Sequence, residues 1–131
     1  MADFDLHNAV KAFFGDFDEA FITFDGGVLA DRFAPPYLVV GADGSSESLE
    51  TGQAIAAHFQ EILDAYYRRG CRFCRHRQVE ITPAGVSAAF VSVTWELLGE
   101  DHNLIAGWRE SYNLVRSGAV LMACASMDHA D

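Results

Sequence analysis

The chain has 131 residues, half of them hydrophobic and about a fifth charged, with a net charge of −10. That length suits one domain around one core, and no run of eighteen apolar residues offers a membrane-spanning helix. So negative a charge argues against a nucleic-acid or anionic-membrane partner, because binding phosphate needs a positive surface.

The opening MADFDLHN has no basic stretch before an apolar one, so no secretory signal is expected and a cytoplasmic setting is the default. Leu6, Val10, Phe13, Phe14, Phe17, Phe21 and Phe24 then recur at three- and four-residue spacing, which predicts a helix of about five turns capped by Asp3 or Asp5. Six of the ten phenylalanines lie before residue 25, so this stripe has to face something broad and apolar. Gly26 and Gly27 are expected to break the helix, Val28 to Phe33 to form a short second one, and Pro35-Pro36 to stop it.

Tyr37 to Val40 reads as a short strand. Ala42-Asp-Gly-Ser45 turns it into a weaker partner, Ser46 to Glu50. Thr51 can cap a third helix with an apolar face of Ile55, Phe59, Ile62, Leu63 and Tyr66, and Gly70 stands where a C-terminal glycine belongs. A strand from Cys71 to Thr82 leads through Pro83-Ala84-Gly85 into a long antiparallel meander, Val86 to Met127, whose runs are separated by Gly99-Glu-Asp-His-Asn103 and Ser117-Gly118. Helices gathered at the front and strands at the back make this an α+β domain spanning residues 1–131, a curved, mostly antiparallel sheet covered by about three helices.

Alternation assigns the meander's faces. Ala89, Val91, Val93, Trp95 and Leu97 share one side of its first strand; Ala106, Trp108, Glu110, Tyr112 and Leu114 share one side of the next. Continuing the apolar face places Val93 near Trp108 and Val91 near Glu110. A one-residue slip would turn Arg109, Ser111 and Asn113 inward instead.

The segment LADRFAPPYLVVGADGSSES, the helix TGQAIAAHFQEIL after it and the closing RESYNLVRSGAVLMACASM resemble the NTF2-like superfamily, in particular its SnoaL-like and ketosteroid-isomerase-like members. The resemblance spans the chain and rests on element order more than on sharp motifs. It implies a cone with an apolar cavity between the sheet and the first helix, and a homodimer through the sheet's outer face. The scaffold hosts isomerases, dehydratases, cyclases, hydrolases and binding modules, so fold does not fix function. The isomerase base would fall at Val39, Val40 or Gly41, with Asp43 as the nearby acid, and the first helix presents phenylalanines where a tyrosine would complete an oxyanion hole. A third isomerase acid would fall at Ser111, beside Glu110, and the last-strand histidine of many SnoaL-like members near Ala123 or Ala125.

Among single residues Glu110 stands out. Flanked by Trp108 and Tyr112 on an apolar face, it would lose water and gain an elevated pKa suited to acid or base work. The plainer alternative puts it at the sheet margin or pairs it with Arg109 or Arg32. Phe17, Phe21, Tyr37, Phe59, Trp95, Trp108 and Tyr112 are the candidate cavity lining, or ordinary core. His7, His58 and His102 read as surface or helix-flank residues.

Cys71-Arg-Phe-Cys74-Arg-His76 has a metal-like spacing, but residues three apart on a strand face opposite ways, so no metal is expected. Three cysteines, an odd number, fit reduced thiols. Arg68, Arg69, Arg72, Arg75 and Arg77, five of the nine basic residues, read as a solvated edge paired with acids, with an anionic-ligand site as the alternative. No nucleotide, P-loop, nucleophile-elbow or zinc-protease motif is present, and no cofactor is expected. Three functions remain: a domain binding a small hydrophobic molecule; a lyase, isomerase or hydrolase using Glu110 or Asp43 as base and Tyr37 or Tyr112 as donor; or a dimeric interaction module with a filled core.

Overall fold

The computed structural model describes residues 4–130, which form three helices and six strands. Helix α1 (Leu6–Phe21) is capped by Asp5, whose carboxylate accepts from the Asn8 amide at 3.1 Å. Asp3, the other expected cap, lies outside the described residues. At 16 residues the helix makes about four and a half turns and stops short of Phe24, which adopts a left-handed φ of 51°. Phe13, Phe14, Phe17 and Phe21 are all buried, so the stripe faces the sheet as its spacing requires.

The second helix differs from expectation. Helix α2 spans Gly26–Ala30, so the two glycines open it instead of breaking its predecessor. Asp25 caps it, its carboxylate accepting from the amides of Gly27 and Val28. Gly26 is needed for contact: a Cβ there would run into the backbone of Ala56 and Gln60 on α3. The Gln60 side chain fastens this crossing, accepting from the Gly26 amide at 2.7 Å and donating to the Phe24 carbonyl at 3.0 Å.

Strand β1 (Phe33–Val40) begins before the prolines. Pro35 and Pro36 lie inside it, joined by a cis peptide, in the gap where its pairing to β6 shifts register between Phe33 and Leu38 and pairing to β2 has not begun. Proline has no N–H to give a ladder, and a gap is where a strand tolerates it. Strand β2 (Ser46–Leu49) completes the hairpin, and α3 (Gly52–Arg68) follows with Thr51 as cap and Gly70 at φ 92°, both as read from sequence.

Strands β3 (Cys71–Pro83), β4 (Ala88–Gly99), β5 (Leu104–Ser117) and β6 (Val120–Asp128) form the meander. The sheet order is β2-β1-β6-β5-β4-β3, antiparallel except where β1 runs parallel to β6. Register shifts in β3 near Cys71 and Gln78, in β5 at Ile105 and between β5 and β6 at Asn113 and Leu114 bend the long strands, because each extra residue locally increases twist.

The inner face holds the expected residues in a different register. Trp95 lies opposite Trp108, Val93 opposite Glu110 and Val91 opposite Tyr112, two residues from the predicted pairing. A two-residue slip keeps every side chain on its face. What fixes the register is the turn, in which the Gly99 amide donates to the Asn103 carbonyl and His102 takes a left-handed φ of 60°.

The core lies between this face and the helices. Phe17 stacks on Trp95 at 4.5 Å between ring centroids, and Phe33 bridges Phe17 to Phe59. No helix among the described residues is long and apolar enough to cross a membrane.

Candidate functional site

Between α1, α3 and the bent sheet the core is not filled. A partly open cavity of about 230 Å³ lies there. Phe17, Phe21, Tyr37, Phe59, Trp95, Trp108 and Tyr112 all line it, contributed by α1, β1, α3, β4 and β5. Asp43 does not. It sits exposed in the β1–β2 turn, held in the charged form by the Ser45 hydroxyl and amide, at 2.6 and 2.9 Å. Its carboxylate builds the turn, and the role of pocket base falls away from it.

Glu110 is in the cavity wall. Alternation on β5 turns it inward with Trp108 and Tyr112, and the Trp108 indole N–H donates to its Oε1 at 2.8 Å. Neither arginine named as its partner reaches it: Arg109 points to the outer face, pairing with Glu80 at 2.6 Å, and Arg32 bonds the Val28 carbonyl. Burial pushes the Glu110 carboxyl up to about 8, the charge of Asp128 adds to that, and hydrogen bonds from Trp108 and Tyr112 pull the other way. Its charged form is thereby disfavoured, and the protonated form can donate a hydrogen bond.

The neighbouring hydroxyls are neutral donors. Burial, reinforced by Glu110, holds Tyr66 up at about 12 and Tyr112 and Tyr37 above their ordinary value. The Trp95 indole donates to the Tyr112 hydroxyl at 2.8 Å, and the Tyr37 hydroxyl is hydrogen-bonded to Ser126, a buried polar residue of β6. Trp95, Tyr112, Glu110 and Trp108 thus form one polar seam in an aromatic wall.

Further residues with polar side chains line the cavity, among them His58, expected at a surface or helix flank, and Ser126 and Asp128, which the sequence did not single out. His58 stands three after Ile55 and four before Ile62, on the apolar stripe of α3, which was the available signal. Burial lowers its pKa, against the pull of Glu47 and Glu61. Asp128 lies directly opposite Glu110 on β6, a pairing that no local pattern encodes.

Beside the cavity, Asp18 of α1 holds His76 Nδ1 of β3 at 2.7 Å and takes a weak contact from Cys74 at 3.5 Å. This clamp ties the helix to the sheet. Burial, then Asp18, pushes the Cys74 thiol up, which disfavours its thiolate. Among the described residues no group of three side chains could hold a metal ion. Of the basic run, Arg75 and Arg77 meet Glu96 at 2.7 and 3.4 Å, while Arg72 lies over the Tyr67 ring.

Residues 7–130 match the family model described as NTF2-like protein (DUF6841). No curated protein matches the sequence. Among solved structures, a protein of unknown function with a cystatin-like fold from Nostoc punctiforme superposes with a TM-score of 0.77 at 14% identity, covering 99% of this chain and 96% of its own. Aln2 from a Streptomyces species gives 0.76 at 17% identity, with 96% and 91% covered. An NTF2-like protein with a cystatin-like fold from Novosphingobium aromaticivorans gives 0.73 at 12%, with 94% and 80% covered. At such identities the likeness is one of fold.

Proposed function

This chain belongs to the NTF2-like family DUF6841, and from that premise we propose that it binds a small, largely apolar molecule in the cone between α1, α3 and the sheet. The observation that carries the reading is a cavity of about 230 Å³ walled by aromatic rings, with one polar seam centred on Glu110. A dry cavity of about 150 Å³ takes benzene, so this one suits a ligand of roughly ten non-hydrogen atoms. It is smaller than the ~300–1,000 Å³ of drug-sized sites, which speaks against a large polycyclic ligand.

Trp95 and Trp108 are the chain's only tryptophans and both line the cavity, so their fluorescence reports on its contents. Titrating a one-ring probe such as tert-butylbenzene should shift or quench the emission saturably in the wild type. In Val39→Trp, where a bulky side chain enters the cavity from β1, the same titration should leave the added and native emission unchanged. Equal responses in both proteins would refute the reading.

A second reading, catalysis, draws on one specific pair. Burial favours the protonated form of Glu110 and the neutral form of His58, in the same wall, so an acid and a base face one space. That arrangement suits a lyase, isomerase or hydrolase acting on the bound molecule. The chain is also expected to pair with a second copy through the outer sheet face, where Leu38 and Phe90 are exposed in one cross-strand row with Ala125.

A further inference from the structure

The cavity wall carries charge of one sign. Glu110 and Asp128 are directly opposite partners on β5 and β6, and directly opposed side chains stand about 5 Å apart at Cβ. No lysine or arginine lines the cavity, and among the described residues neither acid has a cationic partner within 4.0 Å. The imidazole in the wall, His58, is kept neutral by burial. Two carboxyls held together without a cation repel, and a structure relieves that by keeping a proton or by taking up a positive charge.

The remainder of the wall is built from rings. Phe21, Phe59, Tyr66, Trp95 and Trp108 surround the space in front of the two acids, with Tyr66 and Trp108 at 6.1 Å between centroids. Aromatic faces are negative at their centres and attract cations, most strongly where water is excluded. An anionic ligand would meet Asp128, and a neutral one would bring the acid pair no counter-charge.

We propose that the ligand of this cavity is a small hydrophobic cation, a protonated or quaternary amine whose nitrogen sits against Glu110 and Asp128 and whose hydrocarbon part lies among the rings. This rests on the cavity being a binding site, as argued above. The ionisable groups sharing the cavity wall with Glu110 are Asp128 on β6, Tyr112 on β5, Tyr37 on β1, Tyr66 and His58 on α3, and Cys74 on β3. The phenols stay neutral, so the proton displaced by the cation leaves Glu110 for solvent.

The test compares two probes of the same shape and ten non-hydrogen atoms each, phenyltrimethylammonium and tert-butylbenzene, by calorimetry and tryptophan fluorescence on the whole chain. The quaternary probe has no proton of its own, so any pH dependence belongs to the protein. It should bind at least tenfold tighter than tert-butylbenzene at pH 8.5, and at least fivefold tighter at pH 9 than at pH 6. Asp128→Asn, at an exposed strand end where folding is not at risk, should weaken the quaternary probe about fivefold and leave tert-butylbenzene unaffected. Glu110→Gln should abolish the pH dependence. Equal or tighter binding of tert-butylbenzene overturns the cation inference alone, and failure of both probes to bind overturns the binding reading with it.

Discussion

Replacing Glu110 with glutamine should change the pH dependence of folding in a way that only a desolvated carboxyl can produce. The unfolded chain loses this proton near the ordinary value of 4.5, whereas the folded chain holds it to about 8. Between those values the native state binds a proton that the unfolded state has released, so stability falls as pH rises through that window and is fully retained below it. At about 1.4 kcal/mol per unit, the displacement has an upper limit of about 5 kcal/mol, and about 3–5 kcal/mol is expected. Glutamine keeps an oxygen to accept from Trp108 and carries no charge at any pH. Urea denaturation of both proteins at pH 5, 7 and 9 measures the difference. Glu110→Gln should match the wild type within about 1 kcal/mol at pH 5 and exceed it by about 3–5 kcal/mol at pH 9. Parallel stability curves across that range would show that Glu110 is ionised and hydrated at neutral pH, and the desolvated acid would have to be abandoned.

Other substitutions test the rest of the frame. Phe17→Ala removes the ring stacked on Trp95 and should cost about 3–5 kcal/mol in thermal or urea denaturation. Tyr112→Phe deprives the buried Trp95 N–H of its acceptor and should cost about 1–3 kcal/mol. Gly26→Ala forces α2 away from α3 and should cost at least about 1–3 kcal/mol, although helix propensity alone would favour alanine. Phe90→Glu on the outer face should leave the melting temperature within a few degrees, and it should convert a dimer to a monomer by light scattering if that face pairs copies; an unchanged mass would exclude the pairing.

Local patterns in the chain determined the element types, and for the meander they determined the faces as well. The three- and four-residue spacing from Leu6 to Phe21 left α1 with one apolar side, and strict alternation through Trp95 and Trp108 left the sheet with one. Caps and turns were equally local: Thr51 and Gly70 act through atoms within a few residues of themselves. Errors arose where distant atoms intervened. Gly26 reads as a breaker until α3 is seen pressing on it, and Pro35-Pro36 reads as a stop until a gap in two ladders is seen to admit it. The β4–β5 register was two residues out because both alternatives keep the same faces, and only the turn from Gly99 to Asn103 separates them.

The candidate site divides in the same way. Glu110, Trp108 and Tyr112 were legible because period two on one strand turns all three inward. Asp128 and Ser126 entered through pairing between β6 and its neighbours, contacts between residues far apart in the chain. What raises the Glu110 carboxyl is likewise tertiary: the helices that close over it, and a second acid brought opposite by the ladder. A sequence specifies which side of an element avoids water, since that depends on residues a turn apart. Which charge meets which inside the cavity depends on how the sheet is ordered and bent, and that was decided only when the chain folded.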